Sequence, residues 1–226
     1  VRCFKTAIKR EENKPVNLIA ELKKASPSKG VIRRDFSLPH IISIYEKKDV
    51  AAISVLTEKR YFDGSLSYLN QARKRTTKPL LRKDFIFDNY QIYESRANNA
   101  DAILLIAAAL EISQLNDLFF LARELTLECL IEVHNWKELD AALYMGAEII
   151  GINNRDLNTL NISLDISLNL LKDIPDDRIV VSESGINTRA DVEVLQATKT
   201  DAILVGTAIM KADDIGARID ELLGKQ

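Results

Sequence analysis

The chain has 226 residues, 46% of them hydrophobic, and carries 31 Lys+Arg against 33 Asp+Glu for a net charge of −2. That apolar share excludes a disordered chain, and α/β barrels often reach this length as one domain, here read as residues 1–226. The charge excludes a general nucleic-acid binder, because phosphate-backbone affinity rests on excess positive charge. A small phosphorylated ligand needs only a local pocket and stays open.

In chain order, residues 2–12 read as a short extra helix. Apolar or β-branched runs of strand length then recur at 17–23, 51–57, 79–84, 101–106, 128–133, 148–153, 179–184 and 201–206. Between and after them lie stretches of helical period at 38–48, 65–76, 89–99, 111–125, 135–145, 163–173, 188–197 and 213–224. Ser65, Asp88, Ser113 and Thr188 are the expected N-caps, and Gly146 stands where a helix-ending glycine belongs. Strands alternating with helices are parallel strands joined by helical crossovers. Eight such units predict an α/β fold, a single (β/α)8 TIM barrel; an open doubly wound sheet is the alternative.

In a parallel barrel the functional residues come from the C-terminal strand ends. Here the first strand carries Glu21 and Lys23, two apart and so on one face. The third ends in Lys83, the fifth in Glu132, the sixth in Asn153 with Arg155 beyond, the seventh in Glu183-Ser184-Gly185 and the eighth in Gly206-Thr207. A lone charge at a strand end is usually a solvated edge group. Charges within runs such as Leu130-Ile131-Glu132-Val133 are costly unless they converge and pair, and one barrel mouth lets them do so.

Gly185 and Gly206 allow close approach of a ligand to the backbone, and a short helix over 207–211 offers free N–H groups to an anion. Tight turns alone are the competing reading of these glycines. The segment 24–30, basic and rich in turn formers, reads as a mobile loop bringing Ser26 and lysine charge to an anionic substrate. Lys83 and Glu132, facing each other, form an acid–base pair or a structural salt bridge. Phe62, Phe85, Leu56 and Leu104 are candidate apolar walls for an aromatic group, or simply core.

Cys3 and Cys129 cannot make a disulfide framework, and with His40 and His134 they lack structural-zinc spacing. All four read as ordinary packing or surface residues. The sequon Asn161-Ile162-Ser163 is read as unmodified. With no signal peptide and no apolar run of membrane-spanning length, the expectation is a cytoplasmic protein with no membrane partner. The chain opens on Val1, which predicts a trimmed N-terminus.

The run from Ile19 to Gly30, containing Glu21-Leu22-Lys23-Lys24-Ala25-Ser26-Pro27-Ser28-Lys29, resembles the signature of the indole-3-glycerol-phosphate synthase family. The resemblance continues through Ser54–Glu58, Tyr61–Ser65, Arg82–Ile86, Leu130–Val133, Gly151–Leu157, Ser182–Ile186 and Val205–Thr207, so it spans essentially the whole chain. It implies ring closure, decarboxylation and dehydration of 1-(2-carboxyphenylamino)-1-deoxyribulose 5-phosphate. The family's general acid falls on Lys83 and its proton-transfer partner in dehydration on Glu132. Lys23 matches the lysine near the substrate carboxyl, and Glu21, Asn153 and Glu183 match residues holding the network and the substrate hydroxyls. Arg155 matches the arginine at the mouth. Ser26, Ser184, Gly185, Gly206 and Thr207 match phosphate-side positions, and Phe62 and Phe85 the aromatic pocket, beside which Leu104 is expected. No metal and no organic cofactor is implied, and a monomer or weak homodimer is expected.

Two departures stand out. Thr207 replaces a common serine but keeps the hydroxyl. The segment before the first strand is shorter than the family's extension, recognisable only around residues 2–9, and the length leaves no room for a fused isomerase domain. Two rivals remain: a Schiff-base aldolase using Lys83, and a non-catalytic barrel that binds a sugar phosphate.

Overall fold

Eight parallel strands form a closed ring: β1 (Asn17–Leu22), β2 (Ala52–Leu56), β3 (Leu80–Lys83), β4 (Ala102–Ile106), β5 (Glu128–Val133), β6 (Ile149–Asn153), β7 (Ile179–Glu183) and β8 (Ala202–Val205). The computed structural model describes residues 2–157 and 159–225. Ile19 of β1 lies opposite Ala52 of β2 on one side and Leu204 of β8 on the other. That pairing closes the sheet and rules out the open doubly wound alternative.

Helices cover the outside: α1 (Phe4–Ile8), α2 (Leu38–Lys47), α3 (Ser67–Arg73), α4 (Asn89–Ala97), α5 (Ile112–Glu124), α6 (Trp136–Tyr144), α7 (Asp165–Leu170), α8 (Arg189–Gln196), α9 (Thr207–Met210) and α10 (Ile215–Leu223). Successive strand residues face opposite sides, so each strand feeds two cores. Leu18, Ile53, Ile103, Ile131, Ile150, Val180 and Ile203 pack outward in the layer shared with the helices. Ile19, Leu81, Leu104, Leu130, Ile149, Val181 and Leu204 fill the interior. Phe4 and Ile8 of α1 belong to the interior cluster and plug the end where the strands begin.

This alternation positions the site. Two residues beyond Ile19, Leu81, Leu130 and Val181 come Glu21, Lys83, Glu132 and Glu183, and Asn153 stands four beyond Ile149. The interior face therefore turns from apolar to ionic in one step at the C-terminal end.

Several local expectations need correction. The first helix is only Phe4–Ile8, not 2–12. The Asn17 side chain takes the Ile8 and Lys9 carbonyls at 3.1 and 3.0 Å, and the Arg10 N–H donates to Asp201 at 3.0 Å. Those tertiary bonds replace another helical turn. α3 starts at Ser67, with Ser65 Oγ accepting the Ser67 N–H at 3.3 Å. Ser113 lies inside the first turn of α5, whose N-cap is Glu111. Residues 163–173 divide into α7 and a 3-10 turn at Leu171–Asp173. Asp88 and Thr188 do cap α4 and α8, each in a reciprocal capping box, and Gly146 follows α6 with φ +83°. The segment 24–30 contains a two-residue hairpin pairing Ala25 with Val31 and Ser26 with Gly30.

Candidate active site

The floor of the barrel mouth is a knot of charge. Lys83 at the end of β3 donates to Oε2 of Glu183 at 2.8 Å and to Oε2 of Glu132 at 3.1 Å. Asn153 Nδ2 donates to the other Glu132 oxygen at 2.9 Å. Lys23 Nζ lies 3.7 Å from Glu21 Oε2. The three carboxyl groups are buried, where a charge is costly unless it is paired.

Burial alone would discharge Lys83, but Glu183, Glu132 and Glu21 together overrule it and hold the amine as an ammonium far above its ordinary pKa. Burial also works against ionised Glu132; Lys83, His134 and Asn153 outweigh it and keep this carboxyl well below the usual range. Glu183 goes the other way. Burial and the facing charges of Glu132 and Glu21 push it up despite Lys83. Its Oε1 is buried and meets no hydrogen-bond donor among the described residues. Two carboxyls driven apart in this way can serve as a proton acceptor and a proton holder, with an ammonium able to donate between them.

Above the floor opens a cavity of about 470 Å³. All sixteen candidate site residues from the sequence line it: Glu21, Lys23, Ser26, Leu56, Phe62, Lys83, Phe85, Leu104, Glu132, Asn153, Arg155, Glu183, Ser184, Gly185, Gly206 and Thr207. On the side of β2 and β3 the wall is apolar. The Phe62 and Phe85 rings meet at 6.3 Å, tilted by 48°, and the Lys23 ammonium stands 5.4 Å from the Phe62 centroid. Glu58 shapes this wall by accepting the N–H groups of Arg60, Tyr61 and Phe62 at 2.7, 2.6 and 3.2 Å. On the side of β7 and β8 the lining is small and polar. Ser184 and Gly185 turn the chain there with φ of +66° and +81°. Ser26 is buried in the hairpin, and Lys24 anchors that hairpin to Asp63 at 2.6 Å. The Arg155 guanidinium donates to the Leu160 carbonyl at 3.2 Å.

Gly206 lines the cavity and also stands against the Glu21 side chain. A Cβ there would meet the Glu21 side chain, 3.1 Å from the Glu21 Cβ and closer still to Oε2. Gly151 likewise leaves room for Glu183, whose Oε1 would stand 2.5 Å from an added Cβ. Both glycines make space for a buried carboxylate.

The model of the family described as "Indole-3-glycerol phosphate synthase" matches residues 1–222. The chain belongs to the indole-3-glycerol phosphate synthase family. A protein of that name from Alkaliphilus metalliredigens is 52% identical over 221 residues, covering 98% of this chain and 84% of the relative. Another from Caldanaerobacter subterraneus subsp. tengcongensis is 51% identical over 210 residues, covering 93% and 81%. Among solved structures, 3-hexulose-6-phosphate synthase from Salmonella typhimurium superposes with a TM-score of 0.74 at 14% identity, covering 92% of this chain and 97% of that one, a likeness of fold alone.

Within this family site, sequence reasoning passed over three features. His134 follows Glu132 by two residues, so the two lie on one side of the chain, and its Nε2 lies 3.3 Å from Glu132 Oε1. Asn154 is fully buried and donates to Ser182 Oγ and to the Glu183 and Ser184 carbonyls at 2.9, 3.0 and 3.1 Å, pinning the left-handed turn. Leu157, Leu160 and Ile162 are each close to half exposed and add apolar surface to the rim. Nothing in the sequence marked their direction, because they lie outside any strand or helix. Among the described residues no helix is long and apolar enough to cross a membrane.

Proposed function

We propose that this chain converts 1-(2-carboxyphenylamino)-1-deoxyribulose 5-phosphate to indole-3-glycerol phosphate, carbon dioxide and water. The observation that carries the reading is the Lys83 ammonium, held by Glu132 and Glu183 on the floor of a cavity with one aromatic and one small polar wall. The ring carbon bearing the carboxyl group attacks the ribulose carbonyl carbon, and Lys83 protonates the oxygen as that bond forms. Carbon dioxide then leaves, its bonding pair returning to the ring system. In the last step the new hydroxyl takes a proton from the Lys23 ammonium and departs as water, while Glu132 takes a proton from the neighbouring carbon, completing the indole.

Lys23 stands at the carboxyl side of the substrate, between Glu21 and the Phe62 ring. Phe62, Phe85 and Leu104 take the aromatic ring. Ser26, Ser184, Gly185, Gly206 and Thr207 surround the phosphate, and Arg155 guards the mouth. Asn153 orients Glu132, while Glu21 and Glu183 hold the lysines and the substrate hydroxyls. The protonated state of Lys83 speaks against the aldolase, which needs a neutral amine. The acid–base pair speaks against a mere binder, which has no use for one. We read the chain as one barrel domain acting in the cytoplasm as a monomer or weak homodimer. The test is to add the carboxyphenylamino sugar phosphate to purified protein and follow indole fluorescence. Absence of turnover by folded protein would overturn the assignment.

A further inference from the structure

His134 sits just past the end of β5, between two carboxylates. Its Nδ1 lies 3.0 Å from Glu138 Oε2, and that same oxygen accepts the His134 backbone N–H at 2.7 Å. Its Nε2, 3.3 Å from Glu132 Oε1, lies off the line of a hydrogen bond, buried and otherwise unpartnered. Glu138 is held in turn at the start of α6, where the Asn135 side chain donates to its Oε1 at 2.5 Å. The groups facing His134 are thus Glu132 from its own strand and Glu138 from α6. Beyond Glu132 stand Lys83 from β3 and Glu183 from β7. His134 does not line the cavity, so whatever it contributes to the reaction passes through Glu132.

We propose that His134 is a positioning residue for the ring-forming reaction: bracketed by Glu132 and Glu138, its imidazolium fixes the Glu132 carboxylate in the orientation and ionised state of a proton acceptor. The proposal rests on the function read above.

Three arguments support it. Glu132 has its two oxygens divided between Lys83 on one side and Asn153 with His134 on the other, so loss of His134 leaves one oxygen with a neutral partner only. Burial opposes ionisation of Glu132, and a second nearby cation helps Lys83 to offset it. Finally, burial works against a charged His134, yet Glu132 and Glu138 outweigh it and raise the imidazole to about 9, so it is a cation at neutral pH.

The experiment has two arms. In the first, steady-state kinetics of the parent, His134→Gln and Glu138→Gln are followed against pH. With the imidazolium gone, the acid limb of kcat should move up by roughly 1 unit or more, the size of shift one close opposite charge produces. KM should stay unchanged, because His134 does not line the cavity. Glu138→Gln should move the limb the same way by less. A purely structural histidine would lower the amount of folded enzyme without moving the limb, and an unmoved limb in both folded variants overturns the proposal.

In the second arm, histidine ring carbons are titrated by NMR, which needs no turnover. The chain has two histidines, His40 and His134, and His40→Gln assigns them. The His134 signal should titrate well above the ordinary histidine value in the parent and drop in Glu132→Gln. An ordinary value in the parent overturns the pairing and the proposal with it. A parent whose NMR pairing is intact but which does not turn over the substrate overturns the reading of function, and His134 then has no reaction to serve.

Discussion

Gly206 and Glu21 share one space: a Cβ on the glycine would lie 3.1 Å from the Cβ of the glutamate and would collide with Oε2. The two strands are hydrogen-bonded neighbours, Ala20 of β1 pairing with Val205 of β8, so neither backbone has slack to give. The buried carboxylate of Glu21 thus depends on the absence of a side chain across the sheet.

Gly206→Ala should therefore act through Glu21. Overpacking of this kind costs about 1–3 kcal/mol, measurable as a lower denaturation midpoint. Displacement of Glu21 and its Lys23 partner should lower kcat more than it raises KM. If the midpoint and kcat hold and only KM rises, the space at Gly206 serves the approach of the ligand and not the carboxylate.

The Glu132→Gln variant keeps the shape of the side chain and its contact with Asn153 but removes the acceptor. General acid–base groups contribute about 10²–10⁴-fold, so kcat should fall within that range while circular dichroism stays that of the parent. Near-normal kcat would make Glu132 a structural partner of Lys83. The comparison is decisive when single-turnover rates show chemistry, and not product release, limiting the parent.

Much of this site could be read from the sequence because a strand has period two. Glu21, Lys83, Glu132 and Glu183 each stand two residues after an apolar interior residue, at the end of a run that is otherwise core. An ion there has either to face solvent or to meet its fellows, and the closed barrel makes them meet. What could not be read depends on distant partners. The first helix stops at Ile8 because Asn17 and Asp201 claim its next backbone groups. The partner of Gly206 is Glu21, far away in sequence and adjacent only after closure. His134 obeyed the same period as Glu132, but a histidine after a strand has many ordinary uses, and its local contact with Glu138, in the first turn of α6, does not by itself point to Glu132.

Stability should carry a His134 signature with a definite sign. The folded-state pKa is raised from 6.5 to about 9, so the charged form is favoured by folding. That contribution is complete below pH 6.5 and fades as pH rises through about 9. The melting temperature of His134→Gln should accordingly lie furthest below the parent at mildly acidic pH, and the gap should close above pH 9. A gap of constant size across this window would mean that His134 stabilises by packing alone.

Lys83 decides between a non-covalent acid and a Schiff-base lysine. Both make it essential, so Lys83→Ala abolishes activity either way. A Schiff base needs the amine neutral, which calls for a depressed pKa. Burial would supply that depression, but the contacts at 2.8 and 3.1 Å to Glu183 and Glu132 reverse it and hold the proton on nitrogen. Bringing a carbonyl carbon within bonding distance would also break both contacts and leave two buried carboxylates uncompensated, a large cost. Borohydride added during turnover should thus trap nothing and leave the rate unaffected. Mass spectrometry of the peptide containing Lys83 provides the readout, and a substrate adduct of reduced-imine mass on that residue would overturn the non-covalent mechanism.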